Sequence, residues 1–310
     1  MRKDKFYEVV KSYLHSIYAK NLKEIEIDQI SKKICSLFVN KKISKKNLWS
    51  EKDFFLITYA DSVKKKKVKN LISLGNFLNK YCKEFSFVHV LPFFPYSSDD
   101  GFAVKDFKKV NSEHGDWDDF KKISSSFKTM IDLVINHCSS ENMLFKDFLN
   151  GSSLVSDFFI VSNEKFKESE KIVRPRSSDI SKKINLNGKT KYVWCTFSHD
   201  QVDFNFKNPE VLIYLIEIMK FYLDKNVKAL RLDAVAFIWK QLGSSCINLP
   251  QTHEIIRLLR LIIDNFYSDV LVITETNIPS HENLSYFGNN NEAHCIYNFS
   301  LAPLLIHSII

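Results

Sequence analysis

The stretch Ala229–Phe237 reads A-L-R-L-D-A-V-A-F and is approached through the short apolar run Val227–Leu232. A run of that length and composition forms a strand covered on both faces. Arg231 and Asp233 stand two residues apart in it, and on a strand that spacing sends both side chains to the same side. If that side is the interior of a closed sheet, a guanidinium and a carboxylate sit together away from water. The arginine then keeps the aspartate ionised, as a carboxylate nucleophile requires. A buried ion pair that only fixes packing is the competing reading.

Two other stretches have the same form. Val270–Glu275, V-L-V-I-T-E, is an apolar run ending in an acid, and Thr129–Val134 carries Asp132 and leads into Asn136 and His137. Three apolar strands that each deliver polar groups at their C-terminal end match the way a (β/α) barrel builds an active site. The motifs D-L-V-I-N-H (Asp132–His137), R-L-D (Arg231–Asp233) and E-T-N (Glu275–Asn277) resemble those of the α-amylase superfamily of retaining glycosidases and transglycosidases. Longer strings resemble a narrower branch, the sucrose phosphorylase and glucosylglycerate phosphorylase group. They are L-P-F-F-P-Y-S-S-D-D-G-F (Leu91–Phe102), V-R-P-R (Val173–Arg176), Q-T-H (Gln251–His253) and Y-N-F-S-L-A-P-L-L (Tyr297–Leu305). The resemblance runs from about Lys52 to the last residue.

That resemblance implies an α/β fold, a (β/α)8 barrel of the α-amylase type with a small domain inserted after strand 3. It implies double displacement at an α-glucosidic carbon, with Asp233 as nucleophile and Glu275 as acid and then base. Phosphate rather than water resolves the glucosyl-enzyme, so the substrates are sucrose, glucosylglycerate or a related α-glucoside, and inorganic phosphate. Asp99 is expected to hydrogen-bond the glucosyl ring and Phe102 to wall its apolar face. His137, Phe197 and Gln201 face the sugar, and Arg176 contacts phosphate, for which its guanidinium fork is suited. Read from their own surroundings, His137 fits a satisfied core histidine and Arg176 a surface arginine. Asp132 reads as structural, buried and paired in the strand layer. The chemistry calls for no metal and no organic cofactor.

Along the chain, residues 1–50 have two helical stripes: Phe6, Val9, Val10, Tyr13, Leu14 and Ile17, then Ile27, Ile30, Ile34, Leu37 and Phe38. They suit a packing appendage on the barrel or a partner-binding pair. Residues 51–137 and 208–310 form the barrel. Strands are expected at Phe54–Tyr59, Phe87–Leu91, Thr129–Ile135, the opening stretch, Val270–Glu275 and His294–Phe299. Helices are expected at Leu71–Phe85, Asp116–Phe127, Val211–Leu223, His253–Phe266 and Pro303–Ile310. Residues 138–207 are polar, rich in Ser and Lys, without a clear element. They are too long for a plain loop and read as the inserted domain.

Six β/α units are thus visible where a barrel of this type needs eight. The expectation is a chain truncated at its C-terminus, with open sheet edges that favour self-association. In relatives a third acid, an aspartate following a histidine after the seventh strand, stabilises the transition state. His199-Asp200 has that dipeptide, but in the inserted segment. An amylase-like hydrolase or transglucosidase and a non-catalytic sugar-binding remnant are the alternative readings.

Composition narrows the rest. Of 310 residues only 7 are Gly, and no phosphate-cradling glycine pattern occurs. The net charge of +8 comes with lysine runs at Lys41–Lys46 and Lys64–Lys67. They lack interleaved aromatics, so solvated faces explain them better than nucleic acid. The six cysteines have no metal-ligand spacing, and Cys35, Cys82 and Cys246 read as small buried hydrophobes of a reducing compartment. No apolar h-region opens the chain and no run approaches the ~20 residues of a membrane span. The protein is expected to be cytoplasmic.

Overall fold

The computed structural model describes residues 3–38, 48–167 and 171–310. The Lys41–Lys46 run lies outside the described residues. Lys64–Lys67 is exposed, with Lys64 paired to Asp61 at 2.9 Å.

Helices α1 (Lys3–Tyr18) and α2 (Glu24–Ser36) come first. Their apolar stripes bury Phe6, Val10, Leu14 and Ile17 on one and Ile27, Ile30 and Ile34 on the other. Strand β1 (Phe55–Thr58) follows, then α3 (Asn70–Tyr81) and β2 (Phe87–Val90). Helix α4 (Trp117–Ser124) is capped by Asp116, which accepts from the backbone of Asp118 and Asp119. It satisfies two of the amides a helix start leaves open. Strand β3 (Lys128–Val134) completes the first three units.

The segment expected to lack clear elements contains several. They are β4 (His137–Ser139), α5 (Met143–Leu149), β5 (Val161–Ser162), β6 (Ser181–Leu186), β7 (Lys189–Trp194) and β8 (Gln201–Asp203). Strands β5, β7 and β6 form an antiparallel sheet in that order, and β4 pairs with β8. A second core of Phe166, Ile180, Trp194 and Cys246 seats this sheet.

The barrel resumes with α6 (Pro209–Asp224), capped by Asn208 with proline at its first turn, and β9 (Ala229–Asp233). Then come α7 (Pro250–Phe266), β10 (Leu271–Thr274), α8 (Ser280–Leu284), β11 (Cys295–Ile296) and α9 (Leu301–Ile309). Helix α1 lies on α7, with Phe6 edge-on to Phe266 at 5.0 Å.

The main sheet has six parallel strands in the order β1-β2-β3-β9-β10-β11. Its register decides the site. Asp132 stands beside Arg231, and Val134 beside Asp233. On the other flank Ile273 stands beside Arg231, and the N–H of Glu275 donates to the carbonyl of Leu232 at 3.1 Å. Below them Phe87, Met130, Ala229, Leu271 and Ile273 fill the concave side as a separate apolar cluster. The carboxylates therefore sit on a packed floor.

Candidate active site

Arg231 and Asp233 project to the same side, as their spacing requires. Nη1 of Arg231 lies 2.9 Å from Asp233 Oδ1 and 2.5 Å from Asp132 Oδ1, and Nη2 lies 3.8 Å from Glu275 Oε1. One guanidinium thus faces three carboxylates from three adjacent strands. It lies over the rings of Phe102 and Tyr297, whose centres are 5.6 and 5.4 Å from its central carbon. Both contacts are cation–π in geometry. Asp132 is fully buried, and its second oxygen is bonded to His89 Nε2 at 2.9 Å. Burial pushes the Asp132 carboxyl up, but His89 and Arg231 outweigh it and the net direction is down.

The expectation that Arg231 keeps Asp233 ionised does not hold. Burial, and repulsion from Glu275 and Asp132, overcome the attraction of Arg231 and lift Asp233 to about 8. Burial is the largest cause, and the sharing of Arg231 adds to it. Arg231 makes its shorter contact with Asp132, and a single positive charge cannot offset three negative ones in a dry site.

The turn after Asp233 is unusual. Ala234 is left-handed, at φ 49° and ψ 28°, a region that a side chain disfavours. That conformation points its N–H at Oε2 of Glu275, 3.1 Å away.

A second group lies on the sugar-facing side proposed from the sequence. Gln201 Nε2 donates to Asp99 Oδ2 at 2.9 Å and approaches His137 Nε2 at 3.0 Å. The ring of Phe197 is 5.2 Å from that of His137. Asp99, His137, Phe197 and Gln201 are thus brought together, and Phe102 joins them to the carboxylates through Arg231. Burial is the main reason that His137 is pushed down to about 4, so the ring is uncharged. The loop that carries Asp99 is tightly turned. Asp99 and Asp100 have φ of 56° and 48°, and a Cβ on Gly101 would stand 2.5 Å from the carbonyl oxygen of Pro92. Glycine is required there.

Arg176 is not joined to this cluster by any contact among the described residues; it is exposed on the loop before β6. Its neighbour Arg174 is occupied otherwise, donating to the backbone carbonyls of Thr196, Cys195 and Ser178. Asp200, of the His-Asp dipeptide, accepts from the hydroxyls of Ser97, Ser98 and Ser140 and ties the β2 loop to the inserted segment.

Sequence reading missed five contributors: His89, Tyr297, Ala234, Asp203 and Lys240. Lys240 had a usable signal, since a lone lysine closes the apolar run Ala234–Trp239. Its side chain is 4% exposed, and Nζ lies 2.6 Å from Asp203 Oδ2. Cys82 and Cys246 are buried as expected, whereas Cys35 is half-buried. Among the described residues no group of three or more His, Cys, Asp or Glu is placed to hold a metal ion. No helix among them is long and apolar enough to cross a membrane.

The family profile "Alpha amylase, catalytic domain" matches residues 80–308. A glucosylglycerate phosphorylase of Spirochaeta thermophila is 45% identical over 83% of this chain and 44% of its own length. One of Escherichia coli is 42% identical over 86% of this chain and 48% of its own length. Among solved structures, sucrose 6F-phosphate phosphorylase from Thermoanaerobacter thermosaccharolyticum superposes with a TM-score of 0.73 at 28% identity, over 83% of this chain and 54% of that one. The chain spans about half the length of the curated relatives it matches.

Proposed function

This chain belongs to the α-amylase family, and we propose that it carries the donor side of a retaining glycoside phosphorylase. The observation that carries the reading is the pair Asp233 and Glu275. They stand on neighbouring parallel strands and are both held to Arg231. Neighbouring strands about 4.8 Å apart suit the roughly 5–5.5 Å carboxyl separation of retaining enzymes.

In the first step an oxygen of Asp233 attacks the anomeric carbon, and the bond from that carbon to the leaving oxygen breaks. Glu275 gives the leaving oxygen its proton. In the second step a phosphate oxygen attacks the same carbon, the Asp233 ester breaks, and Glu275 takes the proton from the phosphate. The product is α-glucose 1-phosphate. Three carboxylates around one guanidinium retain a proton near neutral pH, and the reaction needs that proton on Glu275 with Asp233 ionised. The donor N–H of Ala234 holds one oxygen of Glu275, leaving the other to act. Asp99, His137 and Gln201 would bind the glucosyl hydroxyls, Phe102 and Phe197 its faces, and Arg176 the phosphate. The similarity to glucosylglycerate phosphorylases supports an α-glucosyl donor with a small hydroxy-acid leaving group.

Two partner and location readings accompany this one. A cytoplasmic site is supported by the cysteines, free throughout the described residues. Self-association is supported by the apolar faces of β1 and α9, described below.

The test is covalent capture. Glu275→Gln is incubated with an α-glucosyl fluoride, whose leaving group needs no acid, and digested for mass spectrometry. Glucosyl mass on the peptide containing Asp233, discharged by phosphate to glucose 1-phosphate, is the expected result. Discharge by water at the same rate with and without phosphate would favour a hydrolase. Label on no peptide, in folded protein, would overturn the nucleophile assignment.

A further inference from the structure

Lys240 is a buried amine outside the two carboxylates and the arginine of the proposed mechanism. It follows the nucleophile strand, yet Nζ reaches across to Asp203 Oδ2 at 2.6 Å and to Asn136 Oδ1 at 2.5 Å. Asp203 is fully buried and belongs to β8, and Asn136 ends the turn after β3. One cation therefore joins three separate parts of the chain beneath the sugar-facing wall.

The orientations of the two amides then follow. Lys240 occupies the carbonyl oxygen of Asn136, so the amide turns its NH2 outward, to Asp203 Oδ2 at 3.0 Å. Asp203 accepts also from the N–H of Thr196 at 3.0 Å and from its hydroxyl. Beside Asn136 stands His137, whose Nδ1 is 3.2 Å from the same NH2. At the other side of the ring Gln201 closes the line. Its amide is fixed, because Oε1 accepts from Ser198 and Nε2 donates to the carboxylate of Asp99. The nitrogen that faces His137 Nε2 is thus a donor, and His137 Nε2 must accept. An imidazolium has no acceptor and would meet an amide NH2 at each ring nitrogen, so this arrangement requires the neutral ring.

Three charges face that ring besides its neutral neighbours Asn136, Gln201 and Phe197 and a backbone hydrogen bond to Phe102. Asp203 and Asp99 favour a proton on it; Lys240 opposes one. Lys240 is the cation in that balance. We propose that Lys240 is a positioning residue for sugar recognition: by neutralising Asp203 and fixing Asn136 it holds His137 uncharged and hydrogen-bonded to Gln201. The inference deepens the glucoside reading and rests on it for the word sugar, though its electrostatic core does not.

The experiment is a 15N NMR titration of the histidines in the 310-residue chain, with His137 assigned by the signal lost in His137→Asn. In the unsubstituted chain His137 stays neutral down to about pH 5, below the ordinary histidine range. Lys240→Met leaves Asp203 without its cation. The midpoint of His137 then rises by about one pH unit or more, into the range where it charges near neutrality. Lys240→Arg keeps the charge and the low midpoint, and the paired change Asp203→Asn with Lys240→Met restores it. Should Lys240→Met fail to fold, Lys240→Gln keeps a donor and removes the charge, and the same rise is expected. A midpoint unmoved in a folded, charge-removing variant overturns the proposal.

Added D-glucose separates the two readings. Shifts of the Gln201 and His137 signals on titration, weakened about tenfold in Lys240→Met, support both. Glucose shifts in the unsubstituted chain with His137 unaffected by Lys240→Met sink the Lys240 role alone. A His137 that responds to Lys240→Met in a chain that takes no glucose sinks the glucoside reading and leaves the electrostatic one standing.

Discussion

The backbone N–H of Ala234 donates to Oε2 of Glu275 at 3.1 Å. The donor is available because Ala234, directly after Asp233, is left-handed, with φ 49°. Local strain in the nucleophile turn is thereby tied to the position of the acid/base. A non-glycine residue in this region costs on the order of 1–3 kcal/mol, so the turn is held by what surrounds it: Val235 and Ala236 are buried behind it. Ala234→Gly is expected to leave stability within about 1 kcal/mol of the parent, since lost strain and added chain entropy oppose each other. Ala234→Val, β-branched at the same φ, is expected to cost about 1–3 kcal/mol. Urea unfolding measures both, and equal effects would mean that the left-handed turn is absent in solution.

Asp233 makes a pH prediction that can be signed. Its native pKa is raised to about 8, burial being the largest cause, above the unfolded value of about 3.9. Between those values the native state binds a proton that the unfolded state has released. Stability from this group is therefore full below about pH 4 and is lost as pH rises through 8. Asp233→Asn removes that slope. We expect it to abolish glucosyl transfer while raising stability at pH 8 by about 0.5–2 kcal/mol, the usual size of gain when a strained site is relieved. Arg231 keeps Asp132 as partner. Urea midpoints at pH 5 and 8 test this, and a parent and variant with parallel pH dependence would show Asp233 to be ionised throughout.

The paired arginines of V-R-P-R are expected to behave oppositely. Arg174 satisfies backbone carbonyls of Ser178, Cys195 and Thr196, so Arg174→Ala strands acceptors and should cost about 1–3 kcal/mol. Arg176 is exposed, so Arg176→Ala should leave stability within about 0.5 kcal/mol. Its expected effect is on phosphate: discharge of the glucosyl-enzyme should need several-fold more phosphate. An unchanged phosphate dependence removes Arg176 from the site.

What the sequence exposed, and what it hid, divides by range. The strands around Arg231, Asp132 and Glu275 were legible because buried parallel strands read as unbroken apolar runs, and a charge inside such a run is conspicuous. The Arg231–Asp132 contact was not, since it depends on register between strands 99 residues apart. The inserted sheet was hidden for another reason. Strand β7 is buried only at its Val193–Trp194 end, and Lys189 and Lys191 on it, with Lys183 on β6, leave the polar face with no clean alternation. Sheets of that kind are defined by cross-strand pairing rather than by local pattern. Strand β11 proved shorter than His294–Phe299 because only Cys295 and Ile296 find ladder partners, both on β10. Lys240 was overlooked because a lysine ending an apolar run is ordinarily a solvated stop, and its partners lie 37 and 104 residues away.

The last prediction concerns the two edges of the six-stranded sheet. Among the described residues β1 pairs only with β2 and β11 only with β10, so each offers a free row of backbone donors and acceptors. The side chains there are apolar and wet: Phe54 is 59% exposed, and Ile57 52%. Helix α9 has no buried residue at all, with Leu304, Ile306 and Ile309 each more than half exposed. Apolar surface is worth roughly 25 cal/mol per Å2 once covered, and contiguous patches of this kind drive association. The 310-residue chain is therefore expected to sediment as dimers or larger species at micromolar concentration. Replacing Ile57 and Phe55 on the β1 edge by Lys, together with Leu304 and Ile306 on α9 by Glu, should return it to a monomer without loss of the β3–β9 core. Sedimentation velocity across a concentration series decides it. A parent chain that stays monomeric up to about 100 micromolar would show these faces to be covered from within the chain.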